Sequence, residues 1–382
     1  MPVQLRRHLT TAAFVVLFAA IPLAMVSSRF GLGPLDLVDF RNLWRAAHDV
    51  LAGRTLYHPA PDPSRPLTAD CLGPGPDCFV YPPLTAVLAV PFTLLPFSAA
   101  AVLFYVSDVA ALLAALRVAG LRDWRCYGVA LACWPALASF ESATITPFLA
   151  LGLALGWRYR DRRSVASLAL GAVVIAKLFL WPLAFWLLAT RRFSTAVSTV
   201  VAACGLCLAT WAPIGFAGFG GYPHLLRALT GLWQSHAYSP VALGLALGLP
   251  TRAASVLGFA AGGAVLALAA RAARRPDGDQ ASFALTIAAA LLLSPLVWLN
   301  YFALLLVPLA IARPTLTRAW ALTLPFMLLP GMSDGHVQRI LVSLVLLAGI
   351  TYVAAGPRES DLPEPVADER YALPRLANAD GL

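Results

Sequence analysis

The sequence carries little charge. Only 12% of its 382 residues are Asp, Glu, Lys or Arg, whereas 59% are hydrophobic. Soluble domains contain about 25% charged residues, so this composition excludes an ordinary water-soluble protein. Runs of about 20 apolar residues, the length that crosses a bilayer as a helix, recur from end to end. Because strand-like alternation is absent and a bilayer admits only helices or closed barrels, the sequence predicts an all-α polytopic membrane protein.

Motifs of several common enzyme classes are also absent. The chain has no Gly-x-Ser-x-Gly, His-Glu-x-x-His or Walker pattern, so none of those chemistries is indicated. Cys204 and Cys207 have the spacing of a metal-binding pair. They lie among Ala and Leu with no His or carboxylate nearby, which favours packing in the core over a metal site. We therefore expect no cofactor and no metal site, and the metal requirement of any reaction stays open.

The apolar runs divide into about twelve predicted membrane helices. The first run follows Arg6 and Arg7. It is interpreted as a retained anchor rather than a signal peptide, because no clear small-residue cleavage site precedes a polar domain. The approximate bounds of the predicted helices are 10–27, 98–119, 126–139, 144–158, 164–177, 178–191, 194–213, 252–273, 281–298, 301–313, 317–331 and 337–355.

Arginine supplies all but one of the basic residues, and its distribution predicts the topology. If the spans alternate sides from a cytoplasmic N-terminus, compact clusters such as 158–163 and 271–275 all fall on the cytoplasmic side. The positive-inside rule then accounts for much of the net charge of +9 without nucleic acid as a partner. We expect a multi-pass plasma-membrane protein with both termini cytoplasmic. Residues 1–356 would form one transmembrane domain, with 28–97 as a long extracytoplasmic loop and 357–382 as a disordered cytoplasmic tail.

The extracytoplasmic loop begins with a helical pattern. Apolar residues recur at helical spacing from Phe40 to Leu51, Asp39 is placed to be the N-cap, and Gly53 is placed at C′. Such a helix would lie in the membrane interface with its charges, Arg45 among them, away from the lipid. Asp39 has two readings, a helix cap or a functional carboxylate, and spacing alone does not separate them.

The rest of the loop is rich in turns. Cys71 and Cys78 bracket a Gly/Pro turn, and a disulfide between them is expected on the oxidising side of the membrane. The apolar stretch that begins at Tyr81 is broken by prolines, so it is interpreted as a second interfacial or re-entrant helix.

Lys177 is the only lysine, and it lies inside a hydrophobic region. Such a cation is a candidate functional residue; the alternative is a lysine that extends to the membrane surface. A single carboxylate can act as a general base toward a hydroxyl, and a lysine can hold a phosphate as a point charge. Together with aromatic side chains, which suit carbohydrate, these residues predict glycosyl transfer from a lipid phosphate in the outer leaflet to a hydroxyl acceptor.

Four segments together resemble the successive signatures of glycosyltransferase family 87. They are "VDFRNLWRAAHDVLAGRTLYHP", "FVYPPLTAVLAVPFTLLPF", "AKLFLWPLAFWLLATRRF" and "SPLVWLNYFALLLVPLAI". The resemblance extends over about residues 10–355 and is carried by the order and spacing of the segments. The family contains actinobacterial polyprenol-phosphate-mannose-dependent α-(1→2)-mannosyltransferases. The chain departs from it at Asn300, where members often have histidine, and at "ESATITP", where many have a Gly-Gln-Asn-like turn.

The resemblance implies a GT-C-like architecture and an inverting mechanism with Asp39 as the base. It implies that Lys177 lies near the donor phosphate and that Tyr57 and Tyr81 are aromatic positions of the loop. The expected partners are the bilayer, a polyprenyl-phosphate-linked sugar and a glycolipid or glycan acceptor. The predicted donor-binding residues are Lys177, Trp298, Asn300 and Tyr301, and the predicted acceptor or pocket residues are Tyr57, Tyr81, Arg45, Glu141 and His236.

Three alternatives remain open at this point. The lipid-linked sugar could be another one, such as arabinofuranose. A transporter or flippase of lipid-linked sugars would be expected to show an inverted repeat, and none is found. A relative that has lost catalysis is the third alternative. Asn300 and Glu141 also each have a purely structural interpretation, in which the side chain only provides hydrogen bonds that stabilise a turn.

Overall fold

The computed structural model describes residues 37–57 and 79–357. The predicted span 10–27, the predicted Cys71–Cys78 disulfide and the tail beyond Pro357 lie outside these residues. Within them the chain forms helices and no strand, as the sequence predicts. The α-helices are α1 (Val38–Leu51), α2 (Pro83–Ala89), α3 (Phe97–Ala119), α4 (Trp124–Ala132), α5 (Trp134–Ser142), α6 (Thr146–Arg158), α7 (Arg163–Ala176), α8 (Pro182–Ala189), α9 (Phe193–Trp211), α10 (Tyr222–Trp233), α11 (Pro240–Ala246), α12 (Thr251–Ala273), α13 (Asp279–Leu293), α14 (Leu306–Ala312) and α15 (Val337–Ala355). The 3₁₀ helices are Val90–Leu94, Leu178–Leu180, Ala212–Ile214, Gln234–His236, Leu299–Leu305 and Arg318–Leu328.

Four helices of the described chain, α3, α9, α12 and α15, are long and apolar enough to cross a membrane. Each exposes large apolar side chains, such as Val106, Val201, Phe259 and Val345. Such surfaces are stable only against another apolar phase, which a bilayer supplies. The chain is therefore a membrane protein, and the count of about twelve spans and the side of each terminus stay predictions.

Several predicted spans are broken or shorter than expected. The span predicted over 126–139 is two helices, because the backbone of Cys133 is extended and Pro135 lies in the first turn of α5, where proline's missing N–H is tolerated. The span predicted over 281–298 ends at Leu293, since Ser294 precedes Pro295 and is extended. The span predicted over 317–331 is instead a 3₁₀ helix, Arg318–Leu328, that contains Pro325.

The helix that carries Asp39 forms as predicted, but its cap differs. The N-cap of α1 is Leu37, so Asp39 lies in the first turn rather than at the N-cap. The helix begins two residues earlier than the polar pattern suggests, and a carboxylate in the first turn still lies near the positive end of the helix. Gly53 has φ of +62°, as expected for the residue after the C-cap.

The apolar face of α1 fixes its position. Phe40 and Leu43 are fully buried, and the Phe40 ring stacks on that of Phe104 in α3 with centroids 4.5 Å apart. Trp44 donates a hydrogen bond to the carbonyl oxygen of Phe92 at 3.3 Å. The first turn of α1 is therefore held against α3 and the segment after α2, which sets the position of Asp39.

The cysteines of α9 do not both pack in the core. Cys204 is exposed and Cys207 is half-buried. Predicting Cys204 as a core residue was wrong, because α9 turns that face outward together with the exposed Val197 and Val201.

Candidate active site

Helix ends and loops from distant parts of the chain surround a cavity of about 580 Å³. It is lined by most of the side chains that the sequence singled out. These are Asp39, Tyr81, Glu141, Lys177, Trp298, Asn300 and Tyr301. The cavity therefore unites the predicted acid, the predicted cation and the predicted turn residues in one site.

Tyr81 lies between the acid and the cation. Its hydroxyl donates a long hydrogen bond of 3.4 Å to Oδ2 of Asp39. On the other side, Nζ of Lys177 lies 4.1 Å from the centroid of the Tyr81 ring, within the range of a cation–π contact. The carboxylate and the ammonium therefore both contact Tyr81, one at its hydroxyl and the other at the face of its ring, and the charge of Lys177 acts on Asp39.

Lys177 is positioned by a break between two helices. α7 ends at Ala176, the backbone of Lys177 is extended, and a 3₁₀ helix begins at Leu178. This break turns the side chain into the cavity, where Nζ donates a hydrogen bond of 2.6 Å to the hydroxyl of Tyr301. The Tyr301 ring is itself stacked on Phe179 with centroids 5.1 Å apart. The position of the cation is therefore fixed by two aromatic residues.

The electrostatics of the site suit a base. Burial raises the pKa of Asp39 from 3.8 to about 6, and the charge of Lys177 and the hydrogen bond from Tyr81 partly offset this rise. At neutral pH the carboxylate is mostly ionised, and it is a stronger base than an exposed aspartate. General bases work best when their pKa lies near the working pH.

Tyr57 supports the site from behind and does not line the cavity. Its hydroxyl donates to the carbonyl oxygen of Tyr81 at 3.0 Å, while Tyr222 donates to the carbonyl oxygen of Val80 at 3.1 Å. A Cβ at Gly218 would lie 2.8 Å from the Tyr57 ring, and the φ of Gly218 is +82°, so only glycine fits there. These contacts hold the backbone of Tyr81 in place.

Asn300, which also lines the cavity, is held by two threonines. Its Nδ2 donates to the hydroxyl oxygens of Thr146 at 2.8 Å and Thr144 at 3.2 Å. These threonines belong to the "ESATITP" turn. The two places where the chain departs from the family pattern are therefore in direct contact.

Two predicted pocket residues lie outside the cavity wall. Arg45 is half-buried on α1 and does not line the cavity. His236 does not line it either; its Nδ1 lies 3.6 Å from a carboxylate oxygen of Asp334. The His236 ring contacts that of Trp233 at 5.7 Å, and Trp233 does line the cavity.

Sequence reasoning missed several lining residues. Trp134, Phe179, Tyr222 and Trp233 all line the cavity. Each lies in or beside an apolar helix, where an aromatic residue is expected to be core packing. A signal was available for Tyr222 and Trp233, because both lie in residues 214–237, a second polar loop that the alternation of spans predicts on the outer side.

The chain is thus a helical membrane protein in which an acid and a cation line one aromatic cavity, the candidate substrate site. The sequence model of glycosyltransferase family 87 matches residues 79–298, more than half of the chain. The chain therefore belongs to glycosyltransferase family 87 and is a membrane glycosyltransferase. Tyr81 and Lys177 fall within the match, whereas Asp39 precedes it. No curated protein and no solved structure matches the chain.

Proposed function

We propose that the protein transfers mannose from a polyprenyl phosphate to a hydroxyl of a lipid-linked or cell-envelope glycan, with inversion at the sugar carbon. The reaction takes place at the extracytoplasmic face. The observation that carries this proposal is that Asp39 and Lys177 line one cavity and both contact Tyr81. Membership in the family supplies glycosyl transfer; the geometry supports the roles of the two residues.

Lys177 and Tyr301 form the phosphate end of the site. The ammonium has three N–H donors, and one of them is used by the Tyr301 hydroxyl. The other two are free to reach phosphate oxygens. When the bond between C1 of the sugar and the phosphate oxygen breaks, its electron pair stays on that oxygen. Lys177 stabilises the charge that develops there, as positioned cations do at leaving phosphates.

Asp39 forms the acceptor end. The acceptor oxygen attacks C1 on the face opposite the phosphate, and its proton passes to the Asp39 carboxylate. One bond to C1 forms as the other breaks, so the configuration inverts. Tyr81 contacts both groups, so the base and the phosphate site line the same cavity, which would hold the sugar.

The remaining walls suit a sugar ring. The Trp298 and Trp233 rings meet edge to face with centroids 6.0 Å apart, and both line the cavity. Asn300 and Glu141 add polar groups at the same wall. Aromatic surfaces with a few fixed polar groups are typical of small-ligand sites.

A donor panel tests the proposal. The purified protein is reconstituted in liposomes with polyprenyl phosphates that carry mannose or arabinofuranose, together with a glycolipid acceptor, and the product is analysed by NMR. We expect mannose to be consumed and the product anomer to be opposite to that of the donor. If only the arabinofuranose donor is consumed, the assignment of mannose is wrong. If the configuration is retained, the single-step mechanism is refuted.

A further inference from the structure

A second cavity, of about 750 Å³, lies at the other end of the helices that build the candidate active site. α6 connects the two. It begins at Thr146, which holds Asn300, and ends at Arg158, which lines the second cavity. A helix of 13 residues spans about 20 Å at about 1.5 Å per residue. The arginine distribution predicts this end to be cytoplasmic.

The lining of the second cavity is strongly basic. Among the described residues the lining includes four arginines and no carboxylate: Arg117, Arg122, Arg158 and Arg160. Of these, Arg160 is neutralised by Asp279 at 2.7 Å. The Arg160 guanidinium also lies 4.3 Å from the ring centroid of Trp157, so this part of the wall is fixed.

The acidic residues near the second cavity already form ion pairs with Arg125, Arg160 and Arg192. Asp123 binds Arg125 at 2.7 Å. Asp279 is shared between Arg160 and Arg192, and Arg192 also binds Asp161 at 3.1 Å. With the part of the chain that the structure describes, Arg117, Arg122 and Arg158 form no ion pair. Their charges converge on one concave site, and none of the ion pairs between described residues neutralises them.

The positive-inside rule explains why arginines lie on this side, but not why these converge on a cavity. The neighbouring cluster Arg271, Arg274 and Arg275 belongs to the same predicted side and does not line it. Guanidinium groups match the oxygens of a phosphate, and basic pockets between membrane helices on the cytoplasmic side bind anionic lipid head groups.

We propose that this arginine cavity binds the phosphate of an anionic phospholipid of the cytoplasmic leaflet. The site is separate from the candidate active site, and the proposal does not depend on which sugar is transferred. Each arginine near such a charge contributes about fivefold in affinity, so removal of three should weaken binding on the order of a hundredfold.

The test is a calorimetric titration of the purified full-length protein in detergent. The ligands are dihexanoyl phosphatidylglycerol, dihexanoyl phosphatidylcholine and inorganic phosphate. We expect phosphatidylglycerol to bind and phosphatidylcholine not to bind. The combined change Arg117→Gln, Arg122→Gln and Arg158→Gln should weaken the binding about a hundredfold, and Arg122→Gln alone, a milder change for folding, should weaken it about fivefold.

The matched control replaces Arg271, Arg274 and Arg275 with Gln, which removes the same charge from outside the cavity. Lys177→Met tests whether the lipid enters the candidate active site instead. Binding that survives the cavity substitutions, or that falls equally in the control, would overturn the proposal. So would loss of binding only in Lys177→Met, or binding of inorganic phosphate in place of the lipid.

Discussion

Replacing Asp39 with Asn separates its catalytic role from its structural one, because the substitution should lower turnover without lowering the stability of the fold. The rise in the pKa of Asp39 from 3.8 to about 6 means that the folded site disfavours the carboxylate by roughly 3 kcal/mol. A carboxylate in the first helical turn gains only about 0.3–1 kcal/mol from the helix dipole. Asparagine therefore should not lower the free energy of unfolding.

The turnover of Asp39→Asn, in contrast, should fall. General-base assistance contributes about 10²–10⁴-fold, which corresponds to about 2.7–5.5 kcal/mol in the activation barrier. Asparagine cannot accept the acceptor proton, so Asp39→Asn should lower turnover by at least about a hundredfold. Donor binding should be retained, since the phosphate end of the site is unchanged.

The assay measures turnover of the lipid-linked donor in proteoliposomes, alongside thermal unfolding and donor binding. Asp49→Asn is the matched control, because Asp49 lies on the same helix, pairs with Arg54 at 2.6 Å and does not line the cavity. Near-normal turnover in Asp39→Asn would refute the role of Asp39 as the base. An equal loss in Asp49→Asn would attribute the effect to the helix rather than to the carboxylate.

Three further predictions follow from the same site. Turnover should rise as the pH rises through about 6, where the Asp39 carboxyl group loses its proton; a flat profile between pH 5 and pH 7 (about one unit on each side) would contradict this. Lys177→Met should weaken donor binding, whereas Lys177→Arg should restore it only in part. Because the charge of Lys177 lowers the pKa of Asp39, Lys177→Met should also shift the rise of turnover to higher pH. Unchanged donor affinity in Lys177→Met would refute the role of Lys177 in phosphate binding. Mass spectrometry of non-reduced peptides should find Cys71 linked to Cys78, and detection of both free thiols would refute the disulfide.

The class of the protein could be predicted from the sequence because it depends on composition and local pattern. Low charge and recurring apolar runs indicate helical membrane segments whatever their packing. The helix that carries Asp39 was also predictable, since helical periodicity and a glycine at C′ act within a few residues. Lys177 was conspicuous because one cation in an apolar region is costly.

The tertiary structure alone placed these residues together. Asp39, Tyr81 and Tyr301 come from distant parts of the chain, and no local pattern indicates that Tyr81 contacts both the acid and the cation. The role of Tyr57 behind the cavity wall depends on its hydrogen bond to the Tyr81 backbone. The breaks at Cys133 and Ser294 depend on how prolines are accommodated in packed helices. Local pattern fixes which segments are helical and apolar, whereas the site forms where side chains distant in sequence pack against one another.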